Sequence, residues 1–269
     1  MMPELFRIGP IPVHTYGLMW MVGIWLAVWR ALRVARRYGV DPDDVFDLAF
    51  WAILVGVIGG RLGYVLIFWR SYAEDPLAIL RVWEGGMSYF GGFGLAILAA
   101  WWFVRRRRLD AWRIADLAAP SIALGYAIAR IGCFGAGCCY GAPTDLPWGV
   151  LFPGHSHPVH PTQLYSTVMN LAIFVILTRL EKRGWARGQL FASFLILHGA
   201  YRFINEFFRA GATSLTVLGV GVFTYGHLVA LLVMGVGWYL FRLRGRRQYQ
   251  QQKETCRSLH LDDECRNWR

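Results

Sequence analysis

Charged side chains are missing from long stretches of this chain, and the stretches recur along it. Residues 8–29, 85–104 and 210–241 contain no Lys, Arg, Asp or Glu, and Leu48 to Trp69 contains only Arg61. A helix needs about 20 apolar residues to cross a hydrocarbon core of about 30 Å. The pattern predicts seven spans, near residues 15–33, 46–69, 88–104, 114–133, 162–180, 189–207 and 221–241. The fold class expected is therefore all-α: a polytopic membrane bundle of about seven transmembrane helices. One domain covers residues 1–241. Residues 242–269 form a basic, polar, Gln-rich tail, expected to be a loosely ordered extension.

Composition agrees and excludes other classes. Of 269 residues, 56% are hydrophobic and only 17% charged, whereas a soluble domain carries about a quarter charged residues. Basic residues follow the first apolar run rather than precede it, so that run is expected to be a span and not a cleaved leader. Arg30, Arg33, Arg36 and Arg37 follow span one, Arg105–Arg108 and Arg113 separate spans three and four, and Arg179, Lys182, Arg183 and Arg187 separate spans five and six. With the tail, these make 21 of the 28 Lys and Arg, all on one side of a seven-span path. The positive-inside rule makes that side cytoplasmic and puts the N-terminus outside. The net charge of +11 is thus a topology signal and a match to anionic membrane lipids, not a nucleic-acid signal.

The cations left over carry the chemistry. Arg61, Arg130, Arg202 and Arg209 lie within or at the ends of apolar spans, where each needs a partner or a wet cavity. Arg202, Glu206 and Arg209 follow the spacing i, i+4, i+7 and share one helical face. Glu206 can neutralise Arg202 structurally, but one acid cannot serve four arginines. The excess points to an anionic ligand, and the planar guanidinium fork suits phosphate. Glycines crowd the start of span three (Gly85, Gly86, Gly91, Gly92, Gly94) and the end of span four (Gly132, Gly135, Gly137, Gly141), through close helix packing or backbone approach to a headgroup.

Arg130-Ile131-Gly132-Cys133-Phe134, ending in Gly141, resembles the signature of prolipoprotein diacylglyceryl transferases, whose usual form is R-x-G-N-F-x-N-x-E-x-x-G. Tyr16-Gly17-Leu18-Met19, Gly60-Arg61-Leu62-Gly63-Tyr64, Gly85-Gly86-Met87-Ser88, His160-Pro161-Thr162-Gln163-Leu164-Tyr165 and Tyr201-Arg202-Phe203-Ile204-Asn205-Glu206-Phe207-Phe208-Arg209 agree with the family in order. The resemblance implies a seven-helix protein of the bacterial inner (plasma) membrane that takes phosphatidylglycerol. It would move the diacylglyceryl group to the lipobox cysteine thiol of prolipoprotein signal peptides, releasing glycerol phosphate, the first step of lipoprotein maturation. It further implies that Arg130 binds the lipid phosphate, that Arg202 and Glu206 are catalytic, and that Tyr16, Gly141 and Arg209 serve substrate binding. No cofactor, metal or nucleic acid is expected.

The departures from the pattern bear on the base. Phe90 stands where the family has a histidine before the Gly-Gly of span three. Cys133, Ala136 and Cys138 replace the signature Asn, Asn and Glu, and His198 replaces a tyrosine. His198, four residues before Arg202 and on its face, is a candidate catalytic base; a hydrogen-bonded packing histidine is the bland alternative. His155, His157 and His160 are expected in a structured outer loop. Cys133, Cys138 and Cys139 permit either a disulfide or plain packing. Two further functions stay open: a phospholipid-binding or transport protein that has lost the chemistry, and a thiol redox protein, though no C-x-x-C pair occurs.

Overall fold

A computed structural model of the chain describes residues 4–8, 11–73, 75–81, 85–184, 187–209, 214–217 and 220–258. Strands β1 (Glu4–Ile8) and β2 (Ile11–His14) form a two-stranded sheet and lead into helix α1 (Thr15–Val34). Next come α2 (Pro42–Ile67), short α3 (Trp69–Ala73), α4 (Tyr89–Arg106) and α5 (Ala111–Gly135). A long irregular segment joins α5 to α6 (Thr162–Glu181), and α7 (Gln189–Glu206) follows. Antiparallel strands β3 (Ser214–Val217) and β4 (Val220–Thr224) precede α8 (Tyr225–Ser258).

Each expected span thus has a helix. Among the described residues, five helices are long and apolar enough to cross a membrane: residues 15–38, 42–67, 111–135, 162–181 and 225–246. The chain is therefore a polytopic, predominantly helical membrane protein. α4 and α7 have 18 residues each, about 27 Å at 1.5 Å per residue, and are less apolar. α7 carries His198, Arg202, Asn205 and Glu206, and α4 contains Gly91, Gly92 and Gly94 in its first two turns. Large apolar side chains such as Trp25, Leu66, Ile67 and Leu232 are exposed, as helices solvated by lipid require.

Two features depart from the pattern of apolar runs. Residues 220–224, Val-Gly-Val-Phe-Thr, open the last apolar run as a strand, because β-branched and aromatic residues suit a hairpin; the helix begins only at Tyr225. The tail, expected to be loose over residues 242–269, instead continues α8 to Ser258, and residues 259–269 lie outside the described residues. Its Arg, Gln, Lys and Glu residues are good helix formers, and a formed helix extends more cheaply than a new one nucleates.

The chain divides into two compact units: Met1–Phe6, Val13–Ala27 and Ala118–Arg269; and Arg7–Pro12 with Val28–Leu117. In the second unit, Ala31, Ala35, Val40, Val45, Val104, Ile114 and Leu117 form the core. α2 and α4 touch through glycine: a Cβ on Gly59 would meet the Gly91 oxygen at 2.7 Å. Buried Arg61 lies in this unit. Its Nε donates to Ile79 O, one terminal nitrogen donates to Gly85 O and Gly86 O, and the other donates to Ala78 O and Arg81 O. A guanidinium has five N–H donors, so five carbonyls saturate it. Arg61 fastens the segment after α3 and has no donor left for a phosphate.

The other unit holds the remaining residues of interest. Ala119, Ala123, Ile173, Leu177, Leu190, Phe194 and Tyr201 form its core. α1 crosses α5 where Gly23 faces Gly125: a Cβ on either would stand 2.7 or 3.0 Å from the other's carbonyl oxygen.

Candidate active site

Arg130 occupies the penultimate turn of α5. It is half-buried and donates to the Tyr126 hydroxyl one turn earlier, with its guanidinium 4.7 Å from that ring's centre. Among the described residues it makes no ion pair. Most of its donor fork therefore remains for a ligand. Tyr126 in turn lies 3.4 Å, oxygen to oxygen, from Tyr201, whose hydroxyl donates to Ser166 Oγ at 2.7 Å. Ser166 Oγ donates to Thr162 O. A line of hydroxyls from α5 through α7 to α6 thus fixes Tyr126, and through it Arg130.

His198 packs into the same aromatic group, its ring centre 5.4 Å from Tyr126, 5.2 Å from Tyr201 and 5.3 Å from Phe194. Its Nδ1 lies 3.1 Å from Asn170 Oδ1. Asn170 Nδ2 donates to Ser166 O, which fixes that amide so that its oxygen faces the histidine. An amide oxygen only accepts, so His198 carries its proton on Nδ1 and presents the Nε2 lone pair. The packing reading of His198 thus holds at Nδ1, and Nε2 has no hydrogen bond among the described residues.

Arg202 and Arg209 converge on one carboxylate. Glu206, 4% exposed, accepts from both at Oε2, at 2.7 and 3.2 Å. Thr224 Oγ1 donates to Oε1 at 3.1 Å, and Thr224 N donates to His227 Nδ1 at 3.1 Å. A Cβ on Gly226 would lie 2.3 Å from Oε1. With both oxygens engaged, Glu206 serves to aim two guanidiniums. Arg202 and Glu206 share a helical face as the i, i+4 spacing predicts, but α7 ends at Glu206, so Arg209 reaches the carboxylate from the bridge beyond the helix and not from the expected face.

Gly141 forms a bridge with Arg209. Its amide donates to His160 O, and Ala142 N donates to Phe208 O. A Cβ at Gly141 would fall 2.2 Å from Phe208 O, so glycine is needed here for backbone approach, which seats the end of α7. Tyr16, in the first turn of α1, brings its backbone against Gly132, the residue before Cys133, since a Cβ there would stand 3.2 Å from Tyr16 O. His155, His157 and His160 do not converge; His160 Nδ1 instead lies 3.2 Å from the Tyr165 hydroxyl.

Cys133, Cys138 and Cys139 are unpaired thiols whose sulfurs all lie within 4.8 Å of one another. Hydrogen bonds from the Cys133 and Cys138 thiols hold Cys139 well below the ordinary thiol range, and Arg130 and Arg209 act in the same direction. The same sharing pushes the Cys138 thiol up. An apolar cavity of about 480 Å³ lies between α6 and α7, reached by Tyr201 and Asn205 and walled by Leu164, Val168, Met169 and Ile204.

The family model for prolipoprotein diacylglyceryl transferase matches residues 3–243. The chain belongs to that family. It is 38% identical over 250 residues to a protein of Bordetella parapertussis, covering 90% of this chain and 95% of the relative. A Pseudomonas savastanoi protein is 36% identical over 255 residues, covering 91% and 94%. One from Chromohalobacter salexigens is 38% identical over 232 residues, covering 85% and 87%. All three are named phosphatidylglycerol–prolipoprotein diacylglyceryl transferase.

Several residues that shape the site escape a motif reading. Tyr126 is marked only by standing one turn before Arg130. Asn170 is a polar position in a mostly apolar span, a signal that was available. Thr224 ends, and His227 follows, a hairpin hidden inside an apolar run.

Proposed function

We propose that this chain transfers the diacylglyceryl group of phosphatidylglycerol to the lipobox cysteine thiol of prolipoproteins. The observation that carries the reading is Arg130: a half-buried guanidinium fixed by Tyr126, without an ion-pair partner among the described residues, on the motif that places the chain in its family. The lipid phosphate binds Arg130 and the outward donors of Arg202, which Glu206 orients. Arg209 lines the outer mouth, positioned by Gly141, and Tyr16 borders the thiol side. An acyl chain fits the cavity bounded by Val168, Met169 and Ile204.

The reaction is a displacement at carbon. The substrate thiol gives its proton to His198 Nε2, the thiolate attacks the glyceryl carbon, and a C–S bond forms. The C–O bond to phosphate breaks, and its electron pair leaves on glycerol phosphate. Arginines already aimed at the phosphate stabilise the negative charge as it grows. Phe90 has no part in the proton transfer, and His198 takes the work of a base.

The path through the membrane has seven crossings, with α4 and α7 as the two less apolar ones. The N-terminus lies outside, the C-terminus in the cytoplasm, and the protein belongs in the bacterial inner membrane; the one-sided arginine clusters support this. The relatives named above, all diacylglyceryl transferases by name, do not favour the reading as a lipid-binding protein without chemistry.

The test labels phosphatidylglycerol in its headgroup and supplies a lipobox peptide. The proposal expects labelled glycerol phosphate to appear only with peptide present. Release without peptide, or no release, would contradict it.

A further inference from the structure

The three thiols are built into a turn that costs conformational energy. Cys133 ends the apolar part of α5, and the chain reverses through Gly137 at φ +70° and Cys139 at φ +62°. A non-glycine residue rarely adopts the left-handed region, and one that does marks a position where the side chain earns its place. The turn is pinned from several directions. Cys138 N donates to Cys133 O, Gln163 Nε2 donates to Cys138 O at 2.7 Å, and Thr162 Oγ1 donates to Cys139 O at 2.8 Å. The result brings residues i, i+5 and i+6 together, sulfur beside sulfur.

Tetrahedral zinc holds thiolate sulfur at about 2.3 Å, which sets neighbouring sulfurs about 3.8 Å apart. The sulfurs here, within 4.8 Å of one another, reach that spacing by small side-chain rotations. We propose that Cys133, Cys138 and Cys139 are three ligands of a zinc ion. Three thiolates and a divalent cation leave one negative charge, close in the fold to two cations: Arg130 stands three residues before Cys133 in α5, and Arg209 bridges Gly141, two residues after Cys139. Gln163 Oε1, buried without a hydrogen-bond partner among the described residues and attached to this same turn, offers an acceptor for a group on the fourth metal position.

Three protein ligands leave that position open, as in catalytic zinc sites. On the transferase reading, on which this step alone rests, the incoming lipobox thiol is the fourth ligand. Coordination lets the thiol release its proton to His198 near neutral pH. The bound thiolate then attacks the glyceryl carbon as phosphate leaves, and the thioether formed is a weaker ligand than a thiolate, so product departs. Zinc would thereby supply the activation that Phe90 cannot.

The test measures metal before any lipid or peptide is added. The purified full chain is loaded with zinc for metal analysis and with cobalt(II) as a spectroscopic probe. One metal per chain, with thiolate-to-cobalt charge-transfer absorption, is expected. Cys139→Gly removes one ligand at a residue whose backbone favours glycine, so it folds at least as well as the parent. Its zinc affinity is expected to fall by at least about a hundredfold, more than loss of an outer-shell partner costs. A parent chain that takes no metal, a Cys139→Gly chain that keeps it, or a parent two hydrogens lighter by mass from a disulfide would overturn the site. Adding a lipobox peptide to the cobalt protein tests the open position: the bands shift if its thiol binds, and unchanged bands overturn that step. Failure of lipid transfer with metal bound would count against the transferase reading and leave the metal site standing.

Discussion

At the scale of single residues the site is a set of cations with different obligations. Arg61 is spent on five carbonyls, Arg202 and Arg209 share Glu206, and Arg130 alone leans on a hydroxyl. Arg130→Lys keeps the charge but loses the fork, so it should weaken phosphatidylglycerol binding by roughly tenfold or more, the worth of one charge-assisted hydrogen bond of ~1.5–3 kcal/mol; equilibrium binding to labelled lipid checks this. Glu206→Gln should destabilise the fold by about 3 kcal/mol, the low end for breaking a buried ion pair, since Arg202 and Arg209 keep contact with solvent. Denaturant unfolding in detergent would measure it. His198→Phe should leave lipid binding intact and slow transfer by about 10²–10⁴-fold, the usual worth of a general base; transfer at full rate in that variant would remove His198 from the mechanism.

At the scale of elements, close backbone approach decides what can change. Gly141→Ala would press a methyl against Phe208 O, which belongs to backbone that seats the end of α7. The cost should exceed the ~1–3 kcal/mol of an ordinary overpacked site, because a carbonyl in a paired bridge cannot swing aside. Thermal unfolding reads this directly, and a Tm equal to the parent's would be inconsistent with the bridge. The helices were legible in the sequence because lipid demands long apolar runs and little else does. The hairpin before α8 was not: Val220–Thr224 satisfies an apolar window as well as a helix would, and only its β-branched residues hint at strand. The helical continuation past Arg242 was hidden for the opposite reason, since polarity marks a boundary of the membrane and not of the helix. Within the site, the pairing of Arg202 with Glu206 followed from helical periodicity, whereas Arg209 joins them from a bridge past the end of α7, which periodicity does not encode. The contacts of Tyr126 with Tyr201 and of His198 with Asn170 join residues on different helices, which one-dimensional spacing does not encode.

At the scale of the whole molecule, membrane character and family membership frame a specific chemical claim. Five apolar helices and a match over residues 3–243 put the arginines in a lipid-facing protein, where a buried cation without a partner is costly and so calls for an anionic ligand. The proposed topology expects reporter fusions at the α4–α5 and α6–α7 connections, and in the tail, to report cytoplasm. A fusion after α5, near residue 145, should report the outer face; the reverse pattern would invert the account of which side the substrate thiol approaches. The most direct measurement incubates the purified chain with phosphatidylglycerol and a lipobox peptide, and weighs the peptide. The account predicts a mass gain of one diacylglyceryl group on the cysteine, lost in Arg130→Ala. An unmodified peptide from a folded chain that still binds phosphatidylglycerol would contradict it.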